Sequence, residues 1–281
     1  MAYAVLLEST LYSTKSTVYS FHVSTPTHDP AQGPIWTRPE PTARRPRFSR
    51  DQIASIALAI ADAEGFAAVS MRRVAAELGS GTMSLYRYIS TKAELAALMD
   101  DALMGEMIVP DEDLPGDWRG ALTMLAYRTR GVYLRHPWAM QALQGEGGAS
   151  RGAPMGPNGL RHFEQSMAAL AGAPFDTRGK LDLLTIVDDY VFGHVLRAAE
   201  LQVRSRAEPD PADVAAIMKF VEDQLSSGRF PHLAALADDP AARSVADPGR
   251  LEQRFELGLQ ALIDGAFRAW AYPATGSPDL Y

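Results

Sequence analysis

At 281 residues, with 47% hydrophobic and 22% charged residues, the chain falls in the ordinary globular range and is long enough for two domains. The absence of cysteine excludes disulfides, thiolate metal sites and a cysteine nucleophile. The formal net charge is −7, yet the segment from Arg44 to Lys92 carries eight basic and four acidic residues, a local +4, whereas the remainder carries −11. A small basic segment on an acidic body is the asymmetry expected where only one region meets a polyanion. With no secretory leader pattern and no run near the ~20 apolar residues of a membrane span, a cytoplasmic chain that does not contact membrane is expected.

In chain order, residues 1–43 are rich in Ser, Thr and Pro, lack a sustained period, and read as a flexible extension. From Asp51 the pattern changes: Ile53, Ile56, Ala57 and Ile60 fall on one helical face, and Gly65 ends the helix. Ser70 is an N-cap for a short helix whose inner face holds Val74 and Leu78 and which stops at Gly79. A third short helix is predicted over 82–89. Ser90 or Thr91 then caps a fourth, running through Leu95, Leu98, Met99, Ala102 and Leu103. Pro110 and Pro115 mark a break. Further helices are predicted at about 117–134, 138–144, 159–172, 177–206, 211–227 and 251–270, with Gly145 to Gly159 and Ala237 to Pro248 as loops. No strands or repeats stand out, and the expected class is all-α.

Two short helices joined by a tight Gly-containing turn have helix-turn-helix geometry, in which the second helix enters the major groove. Here Ala75 is small enough for close helix approach, Gly79 supplies the turn, and Val74, Leu78, Leu85 and Ile89 form the buried side. Thr82, Ser84, Tyr86, Arg87 and Tyr88 are left to project, a set of hydroxyls, aromatic edges and a guanidinium suited to bases and phosphates. Tyr88 also fits a core aromatic closing the three-helix unit, Arg72 and Arg73 also fit a solvated face, and Met83 reads as packing. Lys92 lies beside a helix N-terminus, whose dipole and free N–H groups attract a phosphate.

The run Leu78-Gly79-Ser-Gly-Thr-Met-Ser-Leu85-Tyr86-Arg-Tyr88-Ile89-Ser-Thr-Lys92 resembles the turn, recognition helix and fourth-helix start of the tetracycline-repressor (TetR) family. By matched position the resemblance implies DNA contacts for Arg72, Thr82, Ser84, Tyr86, Tyr88 and Lys92, with Arg87 where sequence-specific contacts vary; Arg47, in the basic run, is counted with them. Phe255-Glu-Leu-Gly258-Leu-Gln-Ala261-Leu262-Ile263-Asp-Gly265 and Tyr190-Val-Phe-Gly193-His-Val-Leu196 are similar to the dimer helices of the tetracycline-binding subgroup. This implies a homodimer through Leu181, Gly193, Leu196, Leu257, Gly258, Ala261, Leu262 and Gly265, with its two heads spaced to read a palindromic double-stranded operator.

The expected organisation is therefore an extension over 1–43, a helix-turn-helix domain over 44–105 with three helices, and a larger helical effector-binding and dimerisation domain over 106–281. The resemblance implies repression relieved by a small-molecule effector, with Tyr133, Trp138, Met140, His162, Phe163, Tyr190 and His194 as candidate lining groups. Each also fits ordinary core, and His194 fits a buried or interface histidine. Tyr133 stands where the family's namesake has a histidine holding magnesium–tetracycline, and Arg197 where it has a metal-linked glutamate. No metal or cofactor is therefore expected, and the effector is expected to be uncharged and partly aromatic. An activator or ligand-independent DNA-binding module stays open. Gly148-Ala-Ser150-Arg-Gly152 matches the G-x-S-x-G of a serine hydrolase, but it lies in a Gly-rich loop without the strand that a nucleophile elbow requires, so no enzyme is expected.

Overall fold

Ser49 opens the first long helix, α1 (Arg50–Glu64): its hydroxyl accepts from the Gln52 amide while the Gln52 side chain accepts from the Ser49 amide, a reciprocal cap. The computed structural model describes residues 33–40, 48–144, 155–206, 210–238 and 248–271. After α1 come α2 (Met71–Glu77), α3 (Thr82–Leu85), α4 (Lys92–Met107), α5 (Trp118–Arg135), α6 (Pro137–Gln144), α7 (Pro157–Ala169), α8 (Thr177–Arg206), α9 (Pro211–Ser226), α10 (Pro231–Asp238) and α11 (Pro248–Ala271). Ser70, Thr91 and Asp117 cap α2, α4 and α5 through their side-chain oxygens. The described residues contain no strand, and the all-α expectation holds.

Three segments differ from their expected form. The helix expected over 82–89 is helical for one turn only: the amides of Tyr88 and Ile89 both donate to the Leu85 carbonyl, at 2.9 and 3.2 Å, and the chain turns away. Helix α10 was not expected, because its eight residues begin at a proline and give too short a period to stand out. Part of the expected flexible extension is also docked. Ile35–Thr37 form a 3-10 turn with Ile35 buried, and Arg38 reaches into the first unit described next.

Contacts divide the chain into two compact units, the first ending at Gly172 and the second beginning at Ala173. In the first unit α4 packs on α1, α5 and α7, and its residues Glu94–Met99, Asp101, Leu103 and Met107 are buried. An element surrounded in this way must find partners for its charges. Glu94, 2% exposed, meets Arg38 at 2.6 Å and accepts from the Ser90 amide at 2.7 Å. Arg38 also donates to the Ser90 hydroxyl, while its carbonyl accepts from Arg50. Two turns further along, Asp101 accepts from the amides of Asn158 and Gly159 at 2.9 and 3.1 Å and so caps α7, whose own N-cap is Gly156. The Gln165 amide adds a second tie, giving and taking one bond with the Val109 backbone.

In the second unit, Leu183, Val187, Val191 and Val195 of α8 and Phe255, Leu259 and Ile263 of α11 recur every fourth residue and are buried. Helices α9 and α10 pack on each other, and no residue of α9 is buried.

Asp100, beside the capping Asp101, yields a pH test. Burial, and then the Asp101 charge, push its carboxyl up to about 6. The folded chain thus keeps a proton that the unfolded chain releases near the ordinary carboxylate value of about 4, so this stability is complete below about pH 4 and is lost as pH rises through about 6. Asp100→Asn is expected to stabilise the protein by about 1–2 kcal/mol at pH 7 and to give no gain at pH 4, measured by urea unfolding at both.

Candidate nucleic-acid interface

The turn between α2 and α3 is set by Gly79, whose φ of +62° lies where only glycine is unstrained, and it is closed by the Ser80 amide donating to the Ala75 carbonyl at 2.9 Å. Val74, Ala75, Leu85 and Ile89 are buried, as the spacing predicts, and Leu78 is half-buried. On the outer side Arg72, Tyr86 and Arg87 are exposed, and Thr82 and Ser84 are half-buried. Tyr86 keeps 45% of its surface exposed. Arg73 is held instead by Glu64 at 2.9 Å and Glu77 at 2.6 Å. Those two bonds raise its pKa and occupy the guanidinium.

Tyr88 takes the core part left open for it, and Met83 departs from its expected part. Tyr88 is 6% exposed and packs on Phe48 with ring centroids 4.7 Å apart, so it closes the core of the head rather than presenting an edge to a base. Met83 was expected to pack but is 79% exposed on the outer surface, where a thioether chain suits a thymine methyl. Helical spacing accounts for both: Tyr88 and Ile89 lie three and four residues beyond Leu85, on its buried face, whereas Met83 lies two residues before it, on the opposite side. Arg44, Arg45 and Arg47 lie outside the described residues, as does the G-x-S-x-G string.

Lys92 is the first residue of α4 and is exposed, with its ammonium 5.5 Å from the centre of the Phe66 ring. Phe66 in turn stacks on Trp138 of α6, with centroids 5.8 Å apart and planes 7° from parallel. The Trp138 indole donates to Asp62 at 2.7 Å, and His136 places Nδ1 2.7 Å from the same oxygen and Nε2 3.2 Å from Glu106.

The candidate lining groups do not form one set. Trp138 belongs to the junction just described. Tyr133 and Met140 are buried in the first unit, and His162 and Phe163 are half-buried there. Burial lowers the His162 pKa, and its Nε2 has no hydrogen-bond partner among the described residues. Tyr190 and His194 lie in the second unit against Phe255, at ring distances of 5.5 and 4.8 Å. The Tyr190 hydroxyl donates to the carbonyls of Arg254 and Phe255 and sits over Gly258, where a Cβ would collide with it. Gly258 thus accommodates a side chain of its own protomer. Of the other candidate dimer residues, Gly193, Leu257, Ala261 and Gly265 are exposed, and Leu181, Leu196 and Leu262 are half-buried.

A helix-turn-helix with an outward polar and aromatic surface, followed by a larger helical body, defines a DNA-binding transcriptional regulator. The family model for the tetracyclin repressor-like C-terminal domain matches residues 109–268, and that for bacterial regulatory proteins of the tetR family matches residues 53–99. The chain is 33% identical over 224 residues to the HTH-type transcriptional repressor DrrR1 of Streptomyces coeruleorubidus, which is 79% of this chain and 78% of DrrR1. It is 33% identical over 242 residues to an HTH-type transcriptional regulator of Saccharopolyspora erythraea, covering 86% of this chain and 94% of the relative. The solved structure of Streptomyces coelicolor ActR, a TetR family protein in complex with actinorhodin, is 29% identical with a TM-score of 0.59, covering 81% of this chain and 99% of ActR. The chain belongs to the TetR family, whose members are transcriptional regulators and not enzymes. No helix among the described residues is long and apolar enough to cross a membrane.

The two tyrosines give a direct check on the head. Tyr88→Ala is expected to cost about 3–4 kcal/mol of stability, as for a buried aromatic, whereas Tyr86→Ala should stay within about 0.5 kcal/mol. Denaturant unfolding of both variants measures the contrast.

Proposed function

We propose that the chain is a cytoplasmic repressor that binds a palindromic operator as a homodimer and leaves it when a small, uncharged, partly aromatic effector binds the body. The observation that carries the DNA-binding half is the split between the buried Leu85, Tyr88 and Ile89 and the outward Met83, Tyr86 and Arg87 on a two-helix frame. Arg72, Thr82, Ser84, Tyr86 and Arg87 form the proposed contact surface, with Met83 added, Lys92 on a phosphate, and Arg47 retained from the sequence.

A dimer through α8 and α11 is supported by the exposed face that carries Gly193, Leu257, Ala261 and Gly265, small or apolar positions without a cover in one chain. Paired with the same face of a second copy, these helices make a four-helix bundle. Sensing is supported by ActR, solved with actinorhodin and with (S)-DNPA. Within this chain, Tyr133, Met140, His162 and Phe163 remain the proposed lining of the first unit, with the unpartnered His162 nitrogen as the polar anchor. An effector acts only through its different affinity for the bound and free forms, and induction requires a few kcal/mol of coupling.

Fluorescence anisotropy with a labelled duplex carrying the DNA upstream of the chain's own gene tests the reading. Tyr86→Ala is expected to weaken binding about tenfold at matched salt and to leave the oligomeric state unchanged in sedimentation. Lys92→Ala should weaken binding to all duplexes alike and make the salt slope shallower by about one unit. Unchanged affinity in the first variant would remove the recognition surface proposed for this head. A panel of aromatic compounds that leaves affinity unaltered counts against induction.

A further inference from the structure

Lys92, on the DNA side of the head, is connected to α6 by a continuous line of contacts. Its ammonium sits 5.5 Å from the Phe66 ring centre, and that ring stacks on Trp138 at 5.8 Å. Phe66 belongs to a 3-10 turn, Phe66–Ala68, with no buried residue of its own, so the turn has little internal packing to fix the ring. Trp138 is itself fixed. It is 6% exposed, and its indole N–H is taken by Asp62 on α1, the oxygen that also faces His136. The second nitrogen of His136 faces Glu106 of α4, whose carboxylate also pairs with Arg135 at 2.9 Å.

We infer that Trp138 is a positioning residue for DNA binding: anchored by Asp62, it holds the Phe66 ring in the place where that ring steers the Lys92 ammonium toward a phosphate. The inference rests on the proposed phosphate contact of Lys92. It takes Trp138 out of the effector lining and gives it a part in the strength of DNA binding. A flexible lysine in water samples many rotamers, and one held over an aromatic face samples fewer, so less freedom is lost on meeting the phosphate. The placement of α6 thereby enters DNA affinity through a contact that α6 does not make itself.

A double-mutant cycle on the full-length chain decides it, using the duplex that carries the DNA upstream of its own gene, over a salt series. Trp138→Leu removes both the stack and the bond to Asp62, and is expected to weaken binding roughly two- to fivefold and to flatten the salt slope. In the Lys92→Ala background the same substitution should have no further effect. Trp138→Phe keeps a ring against Phe66 and should restore most of the affinity. If Trp138→Leu folds poorly in a thermal melt, Phe66→Leu at the half-buried ring replaces it, with the same expectation. Equal weakening in both backgrounds marks Trp138 as mere core and overturns the inference while the Lys92 contact stands. An unchanged affinity on Trp138→Leu overturns it too. If Lys92→Ala alone leaves affinity and slope as they were, the phosphate contact fails first and the inference fails with it.

Discussion

Helix α4 is buried on most of its circumference, and its acidic side chains can stay there only because other parts of the chain come to them. Glu94 draws in Arg38 from the segment before α1, and Asp101 takes the free amides at the start of α7. Each tie joins residues more than fifty positions apart in sequence. The desolvation that makes an unpaired buried carboxylate costly therefore fixes where these distant segments must lie. The helix that follows the recognition segment is thus set by electrostatic satisfaction as much as by its apolar packing.

The first unit shows the consequence. The head is completed at one end by Arg38 and at the other by the α5–α6 corner, where His136 and Trp138 share Asp62. A displacement at that corner has to be accommodated by α1, by Glu106 of α4, or by both. Physical routes of this kind, made of packed rings and charged hydrogen bonds, are what a two-state regulator needs if an event in its body is to alter its grip on DNA.

Much of this was legible in the sequence where local rules govern. The starts of α2 and α4 followed Ser70 and Thr91, and the inner faces of α1 and α2 followed the spacing of Ile53, Ala57, Ile60 and Val74. Legibility ended where a residue's part depends on what arrives from elsewhere. Met83, expected to pack, lies two residues before Leu85 on the opposite face and is exposed, and of the two readings open for Tyr88 the core one matches its burial. Trp138 was read as a lining group, yet its ring faces Phe66 and its N–H faces Asp62. Tyr190 and His194 were placed with it, but they pack against Phe255 of α11. Arg38 and Ile35 sat in a Ser- and Pro-rich stretch with no period, and only the burial of Glu94 at a helix start hinted that a cation had to come from somewhere. Glu94 is the third residue of α4 and accepts from the Ser90 amide, a local bond that gives no sign of the distant cation it also meets.

The strap carrying Arg38 bears on portability. A DNA-reading head is usually thought of as a cassette that can be moved to a new body, cut where the family resemblance begins. Here such a cut, at residue 53, would remove the guanidinium that neutralises Glu94 and the Arg50 side chain that holds the strap's carbonyl. It would also separate Asp62 from His136 and Trp138 if the body were exchanged after α4. A working chimera would have to carry both the strap and the α5–α6 corner with the head, making the smallest transplantable reader considerably larger than the helix-turn-helix itself.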